Sequence, residues 1–154
     1  MALTAVVFCL DTSVLIMFLT AEEPKALSEA AARLVLRGLR GARLVAPAWV
    51  WAEVGSVLRK KVRQGLLGQS QAAELWDRFG QLPIEFLDSP ALRTRAWEIA
   101  EQYGLSTLYD AAFLACTEVA AAPGIAERGF WTADANLLRQ LGEGRPPYVC
   151  ELVI

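Results

Sequence analysis

The stretch Val6-Val7-Phe8-Cys9-Leu10-Asp11-Thr12-Ser13-Val14-Leu15-Ile16 decides the fold. Its first five residues are apolar and rich in β-branched and aromatic types, a short run of the kind buried on both faces of a parallel sheet. An acid and two hydroxyl residues end the run, and a second apolar segment follows. Asp-Thr-Ser ahead of apolar residues is a helix-start signal, because these side chains accept hydrogen bonds from amides that a first helical turn leaves unpaired. Asp11 is therefore expected at the carboxyl end of the first strand, the edge where open α/β sheets hold their ligands. Taken alone, Asp11 is better explained as a helix cap. The balance shifts because the chain repeats the arrangement.

Working outward, a short helix is expected over residues 13–20 and another from Pro24 to the glycines at 38 and 41. Arg43-Leu44-Val45-Ala46 reads as a second strand, and Pro47 as the start of a helix carrying Glu53 in its second turn. Ser70 opens a helix to Phe79, and Pro83 to Leu87 reads as a strand. A helix follows from about Ala91 to Tyr103. Thr107 to Glu118 is an apolar helix with Asp110 in its first turn. Gly129-Phe130-Trp131-Thr132-Ala133-Asp134 repeats the opening theme, a strand ending in an acid before a helix from Ala135 to Leu141. Tyr148 to Ile154 is a last strand. Strands alternating with helices argue for one α/β domain over residues 1–154, a parallel sheet with helices on both faces.

Composition narrows the chemistry. A chain of 154 residues is a single-domain length, and 55% hydrophobic residues with a net charge of −2 do not describe a simple basic nucleic-acid binder. There is no histidine, which removes the commonest general base and transition-metal ligand. Cys9, Cys116 and Cys150 show neither a CxxC pair nor a disulfide framework, and an odd count suits a reducing cytoplasm. Residues 2–21 carry one charge and pass a loose membrane-helix length filter, but an Asp near the centre costs about 2.5–3.5 kcal/mol on insertion scales. The stretch reads as strand plus helix in a soluble protein with no membrane partner.

Four acids then stand out. Asp11 and Asp134 end strands, and Glu53 and Asp110 sit near helix starts, so all four are expected on one edge of a parallel sheet. Each has an ordinary alternative: Asp134 as a cap, Asp110 as the partner of Thr107 in a capping box, Glu53 as a solvated glutamate beside Ser56 and Lys60. Together, in a chain only 21% charged, they are harder to explain away. Clustered carboxylates repel and hold protons unless a positive charge joins them. A hard divalent cation, Mg²⁺ or Mn²⁺, is the natural remedy. Without histidine, a water activated by the cation is the credible nucleophile, and a phosphodiester the natural substrate. Setting the four aside leaves 13 acids against 15 bases, a balance compatible with a phosphate backbone. Arg59, Lys60, Lys61 and Arg63 follow Glu53, and Arg37, Arg40 and Arg43 lie near the second strand. Such runs are more often solvated faces, with Arg59, Lys60 and Arg63 as candidate contacts to a phosphate backbone. The tryptophans are expected in the core.

With these pieces in place, the chain resembles the PIN-domain ribonucleases, especially the toxin halves of VapBC toxin–antitoxin pairs. Leu10-Asp11-Thr12-Ser13-Val14-Leu15-Ile16, Ala46-Pro47 leading to Ala52-Glu53-Val54, Leu105 to Ala115, and Phe130-Trp131-Thr132-Ala133-Asp134 carry the resemblance, in family order. It implies a three-layer α/β/α fold with a five-stranded parallel sheet, a divalent-metal site and cleavage of single-stranded RNA. It makes Asp11, Glu53, Asp110 and Asp134 the acidic set, with Ser13 and Thr132 in support, and it implies a cognate antitoxin. A homodimer is expected from the resemblance and from the sparsely charged helix at 25–36. The longer segment between Glu118 and Gly129, containing Pro123-Gly124, departs from the family pattern and makes Asp134 the least secure of the four. A haloacid-dehalogenase-like phosphatase would want an acid where Ser13 stands, and a phospho-receiver would want an acidic pair and a late lysine. A non-catalytic PIN-like RNA-binding or scaffold module is the remaining alternative.

Overall fold

A computed structural model describes residues 6–21, 24–121 and 127–153. In chain order these form β1 (Val6–Leu10), α1 (Thr12–Thr20), α2 (Lys25–Leu39), β2 (Arg43–Pro47), α3 (Val50–Arg63) and α4 (Gln69–Gly80), then β3 (Ile84–Leu87), α5 (Pro90–Tyr103), α6 (Leu108–Ala120), β4 (Glu127–Thr132), α7 (Ala135–Leu141) and β5 (Val149–Glu151). The five strands make one sheet in the order β3-β2-β1-β4-β5, and each neighbouring pair is parallel. The expected α/β fold with a five-stranded parallel sheet is present. The expected Pro123-Gly124 interruption lies outside the described residues.

β1 is the middle strand, which is why its run is apolar at every position. Val7, Phe8, Cys9 and Leu10 are all buried, with β2 paired along one side and β4 along the other. Alternation across the pleat assigns the two layers. Phe8 meets the guanidinium of Arg37 on α2, while Cys9 meets Cys116 and Thr117 on α6. Gly38 lets α2 settle on Leu44 of β2, because a Cβ there would come within 2.5 Å of the Leu44 side chain. On the other face α6 is buried at every position from Ala111 to Thr117, apolar nearly all round as a helix lying across the sheet must be. Its alanines let it lie close to the strands, and Phe113 stacks on Phe130 of β4 with centroids 5.5 Å apart.

Several local expectations shift. Pro47 closes β2 instead of opening a helix: it pairs with Leu87, and the next amide, Ala48 N–H, takes the Leu87 carbonyl. A proline is tolerated at a strand end, where its missing N–H costs no ladder bond. α3 therefore begins at Val50, and Glu53 stands in its first turn, not the second. Gly68, not Ser70, precedes α4. Ser89 caps α5 by accepting from Leu92 N–H, with Pro90 at the first helical position. The last strand is shorter than expected, ending at Glu151. The tryptophans depart most: Trp51, Trp76 and Trp97 are largely exposed and not core residues. Among the described residues, no helix is long and apolar enough to cross a membrane.

Candidate active site

Four elements carry the acids to the carboxyl edge. Asp11 follows β1 directly, and its amide is fixed by the Trp131 carbonyl of β4 at 3.0 Å. Its own carbonyl accepts from Val14 and Leu15, so the backbone opens α1 as a cap residue would. The side chain does not follow suit, because it makes no cap hydrogen bond. Asp11 Oδ2 instead accepts from Thr132 Oγ1 at 2.6 Å, across to the end of β4. The carboxylate's main hydrogen bond thus runs to β4, and the cap role that Asp11 taken singly would suggest shrinks to a weaker contact with the Ser13 amide.

Glu53 is reached from the other side. Thr12 Oγ1 donates to Glu53 Oε2 at 2.6 Å and so ties the first turn of α1 to the first turn of α3. Asp110, in the first turn of α6, does not form the capping box, since the Thr107 side chain makes no cap bond. Asp134 does cap: its Oδ1 accepts from Asn136 N–H at 2.9 Å and Leu137 N–H at 3.2 Å. Its amide in turn donates to Thr132 Oγ1 at 3.0 Å. One hydroxyl, Thr132, thereby positions both strand-end acids while being itself wholly buried.

Electrostatics couple the set. Asp11 is 7% exposed, and its pKa is pushed from 3.8 up to about 6, first by burial and then by the charges of Asp110 and Asp134. The Thr132 hydrogen bond, and more weakly the Ser13 amide, pull the other way. Asp110 is also shifted upward, by burial, then by Asp134 and Glu53. The four acids are thus close enough to feel one another, and none of them forms an ion pair with a basic side chain among the described residues. This arrangement accumulates negative charge with no protein cation to offset it.

The carboxylates are neighbours without being a finished cage. Among the described residues, no three acidic, cysteine or histidine side chains are close enough as they stand to hold one metal ion. Thr12 holds one oxygen of Glu53, and the cap of α7 holds one oxygen of Asp134. The donor set still suits a small hard cation, which keeps several waters and needs only one or two carboxylates. Ser13 adds an independent sign, since its Oγ is buried and without a hydrogen-bond partner. An orphaned buried hydroxyl costs roughly 1–3 kcal/mol unless a water or ion completes it.

The basic residues divide. Arg59, Lys60 and Arg63 line one open groove with Ser56 on α3, a turn beyond Glu53. Arg37 and Arg43 lie at the opposite edge of the sheet, paired with Glu127 and Glu85. The sequence reading missed Thr12 as the residue that holds Glu53. Its position in the Asp-Thr-Ser run was a signal only for a helix start.

The sequence matches the family model of the PIN domain over residues 8–140. No curated protein matches it. Among solved structures, a chain of a toxin-antitoxin complex from Klebsiella pneumoniae superposes with a TM-score of 0.62 at 16% identity, covering 92% of this chain and 94% of that one. A chain of VapBC2 from Rickettsia felis, crystallised with a DNA fragment from their promoter, gives 0.64 at 14% identity, with 96% and 99% covered. PAE2754 from Pyrobaculum aerophilum gives 0.59 at 18% identity, with 96% and 92% covered. At these identities the likeness is one of fold.

Proposed function

Since the chain belongs to the PIN domain family, whose members are generally nucleases, we propose that it is an endoribonuclease that cleaves single-stranded RNA with Mg²⁺ or Mn²⁺ and serves as the toxin of a toxin–antitoxin pair. The observation that carries this reading is Asp11: a buried carboxylate raised to about pKa 6, beside three more acids, with no basic partner among the described residues. Asp11, Asp110, Glu53 and Asp134 would hold the cation, with Asp11 and Asp110 most central. A divalent cation there supplies a water made nucleophilic at neutral pH and offsets charge gathering on the phosphodiester.

The chain's own groups do the rest. Thr132 fixes Asp11 and Asp134 relative to each other, and Thr12 fixes Glu53, so the acids are preorganised by hydroxyls that carry no charge of their own. Arg59, Lys60 and Arg63 offer phosphate contacts along α3, within reach of a strand that threads past Glu53. A partner antitoxin would silence the site by placing an arginine among the carboxylates, where bidentate pairing competes with the metal. A homodimer using the exposed part of α2, where Leu36 and Leu39 face solvent, belongs to the same reading, as does action in the cytoplasm. The rival, a non-catalytic RNA-binding or scaffold module, draws support from the lack of a preassembled three-ligand group among the described residues.

One experiment separates them. The purified chain is incubated with Mn²⁺ on a defined single-stranded RNA, a structured RNA and a single-stranded DNA, with an EDTA control. Cleavage of the single-stranded RNA that EDTA abolishes is expected. Binding without any cleavage would establish the rival, and cleavage that persists in EDTA would overturn the metal's role. Light scattering at tens of micromolar tests the dimer, and co-expression with the neighbouring gene tests the antitoxin.

A further inference from the structure

A second feature opens on the same edge as the acids. A cavity of about 570 Å³ lies where β2 and β3 end, bounded by Pro47, Leu87, Trp49, Leu92, Tyr109 and Ala112. Two of these residues adjoin the acidic set. Tyr109 precedes Asp110 in the first turn of α6, and the Trp49 carbonyl receives the Glu53 amide at 3.3 Å. We propose that this cavity is a nucleobase subsite, which stacks one unpaired base of the substrate on Tyr109 beside the bond to be cut. The proposal rests on the single-stranded RNA nuclease reading and names a residue that governs how its substrate is held.

The walls fit a flat heteroaromatic better than an aliphatic chain. The rings of Trp49 and Tyr109 stand 5.2 Å apart at 81°, so they form a corner: a planar base lying flat on one meets the other with its rim. Trp49 is braced from behind by Phe113, 5.3 Å away at 78°, and is half-buried, so that wall is stiff. Tyr109 is 62% exposed, and its ring meets no other ring than Trp49 among the described residues. Apart from that edge contact, most of this aromatic surface stays in water next to Asp110.

The rim carries polar groups suited to a base edge and its phosphate. Arg93 grips Asp88 through Nε at 2.9 Å and Nη2 at 2.7 Å, which leaves the other guanidinium N–H groups available at the mouth. The pair is exposed and does little for folding, but it holds donor and acceptor atoms in fixed places. Stacking on an aromatic side chain is sequence-tolerant, because every base presents a π-face, so the rim pair is where any preference among bases would arise.

The test uses the full chain and two readouts. Binding of fluorescent oligoribonucleotides is measured in EDTA, where no metal-dependent cleavage occurs, and steady-state cleavage is measured in Mn²⁺. Tyr109→Ala is expected to weaken binding about 10- to 100-fold, the usual loss for removing one stacking platform. It should raise KM more than it lowers kcat, and Tyr109→Phe should bind as wild type does. An oligonucleotide with an abasic residue next to the cleaved bond should lose the same factor against wild type and nothing further against Tyr109→Ala. Equal binding by wild type and Tyr109→Ala, or equal further loss on the abasic strand, overturns the subsite while leaving the nuclease intact. A Tyr109→Ala chain that shifts from dimer to monomer with its abasic response unchanged also overturns it, and assigns the face to a second copy. A wild type that neither binds nor cuts single-stranded RNA fails the underlying reading and takes the subsite with it.

Discussion

At the amino edge of the sheet, Glu85 on β3 receives a two-pronged hydrogen bond from Arg43 on β2, and Glu127 on β4 receives Arg37 from α2. At the carboxyl edge, the hydrogen bonds that reach Asp11, Glu53 and Asp134 come from hydroxyls and amides among the described residues. Arginine holds the Glu85 carboxyl below its usual range, whereas burial and like charge push Asp11 and Asp110 above theirs. One sheet thus presents acids in two states. Those at the amino edge are neutralised by the protein, and those at the other are left for something the chain does not supply. Clusters of carboxylates raised by burial and like charge are the pattern that binding and catalytic sites show.

The sharpest way to break this contrast is to remove charge at the carboxyl edge. Asp11→Asn, which can still accept from Thr132, should lower metal-dependent RNA cleavage by roughly a thousandfold, taking several kcal/mol of transition-state stabilisation at about 1.36 kcal/mol per decade. It should also raise the melting temperature of the metal-free chain at pH 7, because a buried charge is gone. Full activity in Asp11→Asn would overturn the site at its centre. Asp110→Asn should behave alike. Asp134→Asn should keep measurable activity, since its carboxylate already serves α7 and water can replace one ligand of Mg²⁺.

A smaller effect is expected from the hydroxyl that links two acids. Thr132→Val is nearly isosteric, yet it leaves Asp11 without its donor and the Asp134 amide without its acceptor. Activity should fall about 10- to 100-fold, as for other residues that orient metal ligands. Metal affinity from isothermal titration should fall in step. An unchanged affinity would show that Asp11 is held by its backbone alone.

Titration supplies the third comparison. Asp11 carries a folded-state pKa of about 6 against 3.8 for an ordinary aspartate. The folded chain therefore binds more protons between these values, and metal-free stability should decline as pH rises from about 4 to about 6. The decline from this group is on the order of 3 kcal/mol, since a tenfold change in proton affinity is worth about 1.36 kcal/mol. Mn²⁺ at neutral pH should recover much of it, and the decline with pH should shrink in Asp11→Asn to the smaller part that Asp110 contributes. Thermal melts across pH 4–7, with and without Mn²⁺, measure both. The smallest effect belongs to the paired edge: Arg43→Ala breaks a half-exposed ion pair, and should cost about 0–1 kcal/mol and leave cleavage alone.

What the sequence disclosed and what it hid follow one physical line. β1 and its acid were legible because a both-faces-buried strand is apolar at every position and stops at its first charge. The sheet edge followed from alternation alone. Thr12 was not legible, because its bond to Glu53 joins residues 41 apart, and local pattern says only that a hydroxyl begins a helix. Pro47 misled because proline suits a helix start and a strand end equally, and only the pairing with Leu87 decides between them. The exposed Trp51, Trp76 and Trp97 misled because large aromatics default to cores, whereas here they stand on outward faces of α3, α4 and α5. Asp134 shows that one carboxylate can cap a helix and still bear on the neighbouring acids.

The hydrogen bond from Thr132 to Asp11 closes a loop of 121 residues. Asp11 is synthesised 121 residues ahead of the hydroxyl that holds it, a wait of many seconds at about 5–20 residues per second. β1 cannot be flanked on both sides before β4 arrives, so the central strand of the sheet waits for one of the last. A nascent chain stalled or truncated before residue 132 therefore has the acid without the geometry that Thr132 gives it.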